Sequence, residues 1–177
     1  MNTEAALHFL AEHQPLPADD ALSHELIDLY DAVRRHFLQH PDPRCIPLFL
    51  NSFGNGSGFG VYQVVDDVFL KFTPDQVLPH LQAALRSSHL GVRYWASQCA
   101  MDFPSPTLVP ALKDLLRSNG PDDLGCHYFA VAALEQVWRQ CSHVPVLEVL
   151  EQALPTVPED DVRALIQEIL LSASRAV

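Results

Sequence analysis

Basic residues are scarce in this chain of 177 residues: 11 lysines and arginines stand against 22 aspartates and glutamates, and the formal net charge is −11. A surface that binds phosphate groups must neutralise them with lysine and arginine. The charge balance therefore argues against nucleic acid and anionic membranes as partners. It is compatible with a basic protein partner, although many acidic proteins have no such partner.

Long apolar runs are also missing, because no stretch approaches the ~20 residues that a membrane span needs. Residues 1–4 lack the basic residues that precede the apolar segment of a secretory signal, so we expect a cytoplasmic protein. Cysteine is sparse as well. Three of the four lie on predicted apolar helix faces, and we expect all of them to be reduced: Cys45, Cys99, Cys126 and Cys141.

What the chain does have is helical periodicity, in a composition that is 48% hydrophobic and 19% charged, as in a folded globular domain. The length predicts a single domain over residues 1–177. Thr73, Pro74 and Gln76 mark a helix start with a capping box. The pattern needs no strand, and it predicts helices over 3–13, 19–39 and 61–72, a helical hairpin over 73–103, and helices over 107–117, 124–141, 143–154 and 159–174.

A repeat appears when the prolines inside the first helix of each predicted pair are aligned. Pro47, Pro79, Pro110 and Pro145 are separated by 32, 31 and 35 residues, and each has apolar residues beside it. A period of about 30 to 45 residues in helix pairs indicates a solenoid, in which each hairpin buries its apolar face against its neighbours.

The repeated segments resemble HEAT repeats, whose second helix often opens with a Val-Arg pair. Here that pair occurs in Leu90-Gly91-Val92-Arg93 and in Asp160-Asp161-Val162-Arg163. The resemblance covers residues 43–174 and implies an all-α, HEAT-like α-solenoid of about four helical hairpins. Residues 1–40 match nothing in the repeat, and we expect them to form an N-terminal capping helix pair.

If the second helices line the concave side, as in that family, the residues that they turn outward form a protein-binding surface. Asp66 and Asp67 are the strongest candidates, because the pattern places them in the middle of the 61–72 helix, away from any capping role. The predicted surface consists of Gln63, Asp66, Asp67, Arg93, Tyr94, Gln98, His127, Tyr128 and Glu135.

Other candidate sites favour structural interpretations. The glycine-rich stretch 54–60 matches no phosphate-binding pattern and is expected to be a flexible link. His36 and His40 have a zinc-binding spacing but no second ligand pair, so we assign them to a solvated face. The acidic clusters Asp122-Asp123 and Glu159-Asp160-Asp161 are expected to lie at helix starts and to cap them. The sequence therefore predicts no catalytic residue, no metal and no cofactor.

Two segments carry a narrower resemblance: Gly-Val-Tyr-Gln at 60–63 and Val-Arg-Tyr-Trp-Ala at 92–96. They are similar to segments of small acidic HEAT-like bacterial proteins encoded beside antibacterial toxins. This resemblance implies an immunity protein that binds and neutralises a cognate toxin, with a basic toxin domain as the partner. The alternatives are a HEAT-like enzyme, such as a bilin lyase or an enzyme that removes alkylated DNA bases, and a general interaction scaffold.

Overall fold

The structure is a computed structural model that describes residues 1–117, 124–143 and 145–175. These residues form helices and turns without any strand, which confirms the all-α prediction. The helices are α1 (Thr3–Glu12), α2 (His24–Gln39), α3 (Cys45–Ser52), α4 (Asp66–Phe69), α5 (Pro74–Ala84), α6 (Leu90–Cys99), α7 (Val109–Arg117), α8 (Leu124–Cys141), α9 (Pro145–Ala153) and α10 (Asp160–Ser174).

The chain divides into two compact units, Met1–Ala96 and Ser97–Val177. In the first unit α1 packs against α2 and α3, and α3 packs against α5. The core is aromatic: the ring of Phe49 meets those of Tyr30, Phe37 and Phe69 edge-on, at centroid distances of 5.6, 5.8 and 6.4 Å. Edge-to-face pairs of this kind stabilise a core beyond the area that they bury.

The start of α2 differs from the prediction. The helix begins at His24, where Ser23 Oγ accepts from the Leu26 N–H at 3.2 Å, and the predicted start at Asp19 or Asp20 is wrong. Residues 13–22 instead cross the end of α3. There the Leu16 N–H donates to the Ser52 carbonyl at 2.8 Å. Asp19 is thereby brought to the glycine-rich stretch.

The predicted helix over 61–72 is also wrong. Two 3₁₀ turns, Gly58–Gly60 and Tyr62–Val64, precede the single-turn helix α4. Asp66 lies in the first turn of α4, where its Oδ1 accepts from the Asp67 N–H at 2.9 Å. The two aspartates therefore do not lie in the middle of a helix, and the reason for ranking them first does not hold.

In the second unit α7 packs against α8 and α9, and α8 packs against α9 and α10. Leu112, Leu134, Leu150 and Ile166, one from each helix, are fully buried. Contacts of α7 with α9 and of α8 with α10 are what side-by-side hairpins require. Asp160 and Asp161 lie in the first turn of α10 as predicted.

The four aligned prolines mark helix starts more than helix interiors. Pro79 alone of the four is in a helix interior, whereas Pro47, Pro110 and Pro145 occupy first-turn positions of α3, α7 and α9. A first-turn residue needs no intrahelical donor, so proline costs little there. The predicted capping pair, Asp122 and Asp123, lies outside the described residues.

Candidate protein-binding surface

Asp19 organises the glycine-rich stretch. Its carboxylate accepts from the Ser57 N–H at 2.8 Å, the Gly58 N–H at 2.9 Å and the Ser57 hydroxyl at 3.1 Å. Burial acts to raise the pKa of Asp19, but these hydrogen bonds favour the charged form and hold the pKa below its ordinary value. The stretch therefore does bind an anion, and that anion belongs to the chain itself.

The other side of the stretch is fastened to α6 and to an aromatic cluster. The Trp95 Nε1–H donates to the Gly56 carbonyl at 3.0 Å, and the Gly91 N–H donates to Asn55 Oδ1 at 2.9 Å. Gly91 lies so close to the Gly54 carbonyl that a Cβ there would overlap it. The segment predicted as a flexible link is thus tied both to the loop that carries Asp19 and to α6.

Tyr62 packs against the glycine-rich stretch from the side of the core. It is 2% exposed, and burial raises its pKa to about 12. Its ring meets those of Phe53 and Trp95 at centroid distances of 5.4 and 5.7 Å, and its hydroxyl accepts from the Gly54 N–H at 3.3 Å. A Cβ at Gly58 would run into this ring, so glycine is required at that position.

Above this support, Phe59 adopts a left-handed backbone conformation, with φ 50° and ψ 32°. Its neighbours Gly58 and Gly60 also have positive φ, at 56° and 91°. A left-handed conformation costs a residue with a Cβ about 1 to 2 kcal/mol relative to the right-handed helix. The Phe59 side chain is nevertheless 45% exposed, and its ring stacks on that of His24 at 4.8 Å.

Two more apolar side chains of the same segment face solvent. Val64 is 38% exposed and Leu70 is 55% exposed, although the predicted helix placed Val64 on its buried stripe. We call Phe59, Val64 and Leu70 the exposed apolar set of residues 58–72. Sequence reasoning missed Val64 because it predicted a continuous helix over 61–72, and it missed Phe59 because it predicted a flexible link over 54–60. The four glycines in the seven residues just before the predicted helix were the available signal against it.

The neighbouring part of α2 is acidic. Glu25 and Asp28 are exposed, and Asp28 lies one turn after the His24 that contacts Phe59. Arg34 and Arg35 both pair with Asp31, at 2.7 and 2.5 Å, so the charge of Asp31 is matched within the helix. Glu25 and Asp28 therefore leave an acidic margin beside the Phe59 turn.

Among the predicted binding residues of the first unit, Gln63 and Asp67 are exposed and Asp66 is half-buried. Arg93 has a structural contact, because its Nη1 donates to the Ser87 carbonyl at 2.8 Å. Tyr94 is half-buried, with its ring edge-on to that of Trp95 at 5.2 Å. Gln63 and Asp67 thus lie in the same segment as the exposed apolar set.

In the second unit the predicted residues have different environments. Gln98 is half-buried, Tyr128 is 47% exposed, and Glu135 pairs with Arg139 at 2.7 Å. His127 is 1% exposed, with its Nδ1 2.9 Å from Glu159 Oε1, so the prediction that it faces outward is wrong. The partner glutamate precedes α10, and helical periodicity within α8 gave no sign of it.

The His36 and His40 pair shows no metal site. His36 Nε2 lies 3.0 Å from the hydroxyl of Thr3, and the two imidazole rings are 5.0 Å apart. No group of three or more potential ligands occurs within residues 1–117, 124–143 and 145–175. In the same ranges, no helix has the length and apolar character needed to cross a bilayer.

Comparison with known proteins finds no matching family model, no matching curated protein and no matching solved structure. The HEAT resemblance therefore stays a prediction from the repeated segments.

Proposed function

We propose that this protein works by binding a protein partner with a basic surface, and that the partner is a cognate toxin domain which it neutralises. The observation that carries the proposal is the exposed apolar set of residues 58–72, which shares its segment with the exposed Asp67 and is joined to the acidic start of α2 by the Phe59–His24 ring contact. Apolar groups rimmed by polar ones are typical of protein interaction sites.

The proposed architecture is a HEAT-like solenoid. It is supported by equivalent hydrogen bonds of the two Val-Arg pairs. Arg93 donates to the carbonyl of Ser87, and Arg163 donates to that of Val157, in each case six residues upstream. The contacts of α7 with α9 and of α8 with α10 also favour stacked hairpins.

The acidic and the apolar residues have separate roles in the proposed binding. A net charge of −11 speeds the approach of a basic partner, and this long-range attraction weakens as salt is added. Apolar side chains that become desolvated in the complex slow its dissociation. Fast, tight association is what a toxin-neutralising protein needs, and covering the active site would block substrate entry. The neutralising role itself rests on the resemblance of residues 60–63 and 92–96.

The test uses the polypeptide encoded by the adjoining gene. We expect the purified protein to bind it and to inhibit its toxic activity. Asp67→Lys should slow association several-fold at low salt, with a smaller effect at high salt. Glu168→Lys, an identical charge change at an exposed position of α10, is the control and should have little effect. Absence of binding, or equal effects of both substitutions, would contradict the proposal.

A further inference from the structure

We propose that Phe59 is the anchor of the binding surface, and that its partner is a folded protein domain with an apolar pocket bordered by basic residues. This inference rests on the proposed protein-binding function and specifies its central contact.

The first reason is that the backbone conformation at position 59 does not favour a phenylalanine. The backbone there is left-handed, a conformation that glycine adopts without steric cost. The ring leaves 45% of the residue exposed, and the ring contact that the structure shows for it is the stack on His24. A large apolar side chain held in solvent at a position suited to glycine is well placed to contact a partner.

The second reason is that the ring is positioned before any partner arrives. Asp19 holds the amides of Ser57 and Gly58 on one side, and Trp95 holds the Gly56 carbonyl on the other. Tyr62 fills the space beneath Gly58. An anchor fixed in this way loses little conformational entropy on binding, which favours affinity.

The third reason concerns the charge that a partner would meet. Around the turn, Asp20, Glu25 and Asp28 are exposed. Against them stand Lys71, exposed on the same segment as Phe59, and the one positive charge left over when both arginines of α2 pair with Asp31. The three carboxylates outnumber the two cations, so the margin is acidic and complements a basic rim. A second copy of this chain would bring another −11 of net charge, and an anionic bilayer would be repelled.

The experiment measures the affinity of the adjoining gene's polypeptide for three proteins: the wild type, Phe59→Ala and Leu171→Ala. Alanine keeps a Cβ at the left-handed position and removes the ring. Leu171 is 58% exposed on α10 and provides a matched apolar control. We expect Phe59→Ala to weaken binding at least tenfold and Leu171→Ala to change it less than twofold.

Phe59→Gly separates binding from folding. We expect its urea midpoint to stay close to that of the wild type, with affinity lost as in Phe59→Ala. A large fall in midpoint for both variants would show that Phe59 serves the fold and would overturn the inference. Equal affinity of wild type and Phe59→Ala would overturn it too, while leaving the proposed function intact.

Failure of the wild type to bind would overturn the proposed function and, with it, this inference. Two further measurements test other occupants of the surface. Sedimentation that shows a wild-type dimer lost in Phe59→Ala would assign the turn to self-association. Flotation with phosphatidylserine vesicles that depends on Phe59 would assign it to a membrane. Either result would overturn the inference.

Discussion

The turns before α6 and α10 are both closed by the arginine of a Val-Arg pair, but their surroundings differ. Arg93 reaches back to the Ser87 carbonyl at 2.8 Å, and Arg163 reaches back to the Val157 carbonyl at 2.6 Å. The start of α6 is also held by a neighbouring segment, through Asn55 and the close approach of Gly91 to Gly54. The Val-Arg pair thus closes a turn in both places, whatever surrounds it.

The start of α10 is held by its own acidic residues and, through the N-cap Glu159, by His127 of α8. The Asp161 carboxylate accepts from the Val162 N–H at 2.9 Å, and Asp160 pairs with Arg163. Damage to the glycine-rich stretch should therefore destabilise α6, whereas substitutions of Asp160 and Asp161 should have local effects. The contrast also shows that the candidate binding turn shares its supports with the core of the first unit.

The largest expected effect is that of Gly91→Ala. A Cβ at Gly91 would overlap the backbone of Gly54, which cannot move away cheaply. We expect a loss of about 3 kcal/mol in the free energy of unfolding. Asp161→Ala, two residues before Arg163 as Gly91 is before Arg93, should cost about 0.5 kcal/mol. Urea denaturation measures the free energy of unfolding of both variants. Equal losses would show that the starts of α6 and α10 do not differ in their dependence on neighbouring segments.

Asp19→Asn should have the next largest effect, about 1 to 2 kcal/mol at pH 7, because it weakens charge-assisted hydrogen bonds to the stretch. The lowered pKa of Asp19 sets the pH dependence. Its stabilisation is complete above the unfolded-state pKa of about 3.9 and is lost as the pH falls through the lower native value. The gap in urea midpoint between wild type and variant should therefore narrow below about pH 4. A gap that did not change with pH would argue against a charge effect.

Arg93→Met and Arg163→Met should each cost about 1 kcal/mol, since each removes a hydrogen bond to a carbonyl while keeping an apolar stem, and the pairing of Arg163 with the exposed Asp160 adds little. Thermal or urea denaturation of the two variants tests whether the arginines are equivalent. If Arg93→Met lowered the free energy of unfolding several times more than Arg163→Met, the turn before α6 would depend on more than the arginine-to-carbonyl hydrogen bond.

The smallest change in stability is expected for Phe59→Gly. Relief of the left-handed backbone is offset by the greater freedom of glycine in the unfolded chain and by the loss of the ring contact with His24. The three terms should leave the free energy of unfolding within about 0.5 kcal/mol of wild type. A substantially less stable variant would place Phe59 among the residues that hold the first unit together.

Periodicity predicted most helices of the second unit well, because α7 to α10 each present one apolar face. It also identified the start of α5, where Thr73 donates its N–H to Gln76 Oε1 at 3.1 Å. The failures occur where a distant residue decides the local structure. Asp19 is used by the glycine-rich stretch and not by α2, and Glu159 holds His127 inside.

The candidate surface was predicted in part. Gln63 and Asp67 are exposed as expected, but Phe59 was not selected. Its proposed role as an anchor follows from its positive φ between two glycines, which no apolar pattern in the sequence predicts. The valines of residues 61–72 fit a helical stripe, yet the positive-φ turn and the 3₁₀ turns before α4 interrupt any such helix.

The carboxylate of Asp19 has one more consequence. Because this anion is covalently part of the chain, its effective concentration beside the amides of Ser57 and Gly58 does not fall on dilution. Phosphate, sulfate or chloride in the surroundings would have to displace a tethered competitor. The shape of the turn should therefore be indifferent to the anions of the buffer, and a partner would meet the same surface in any of them.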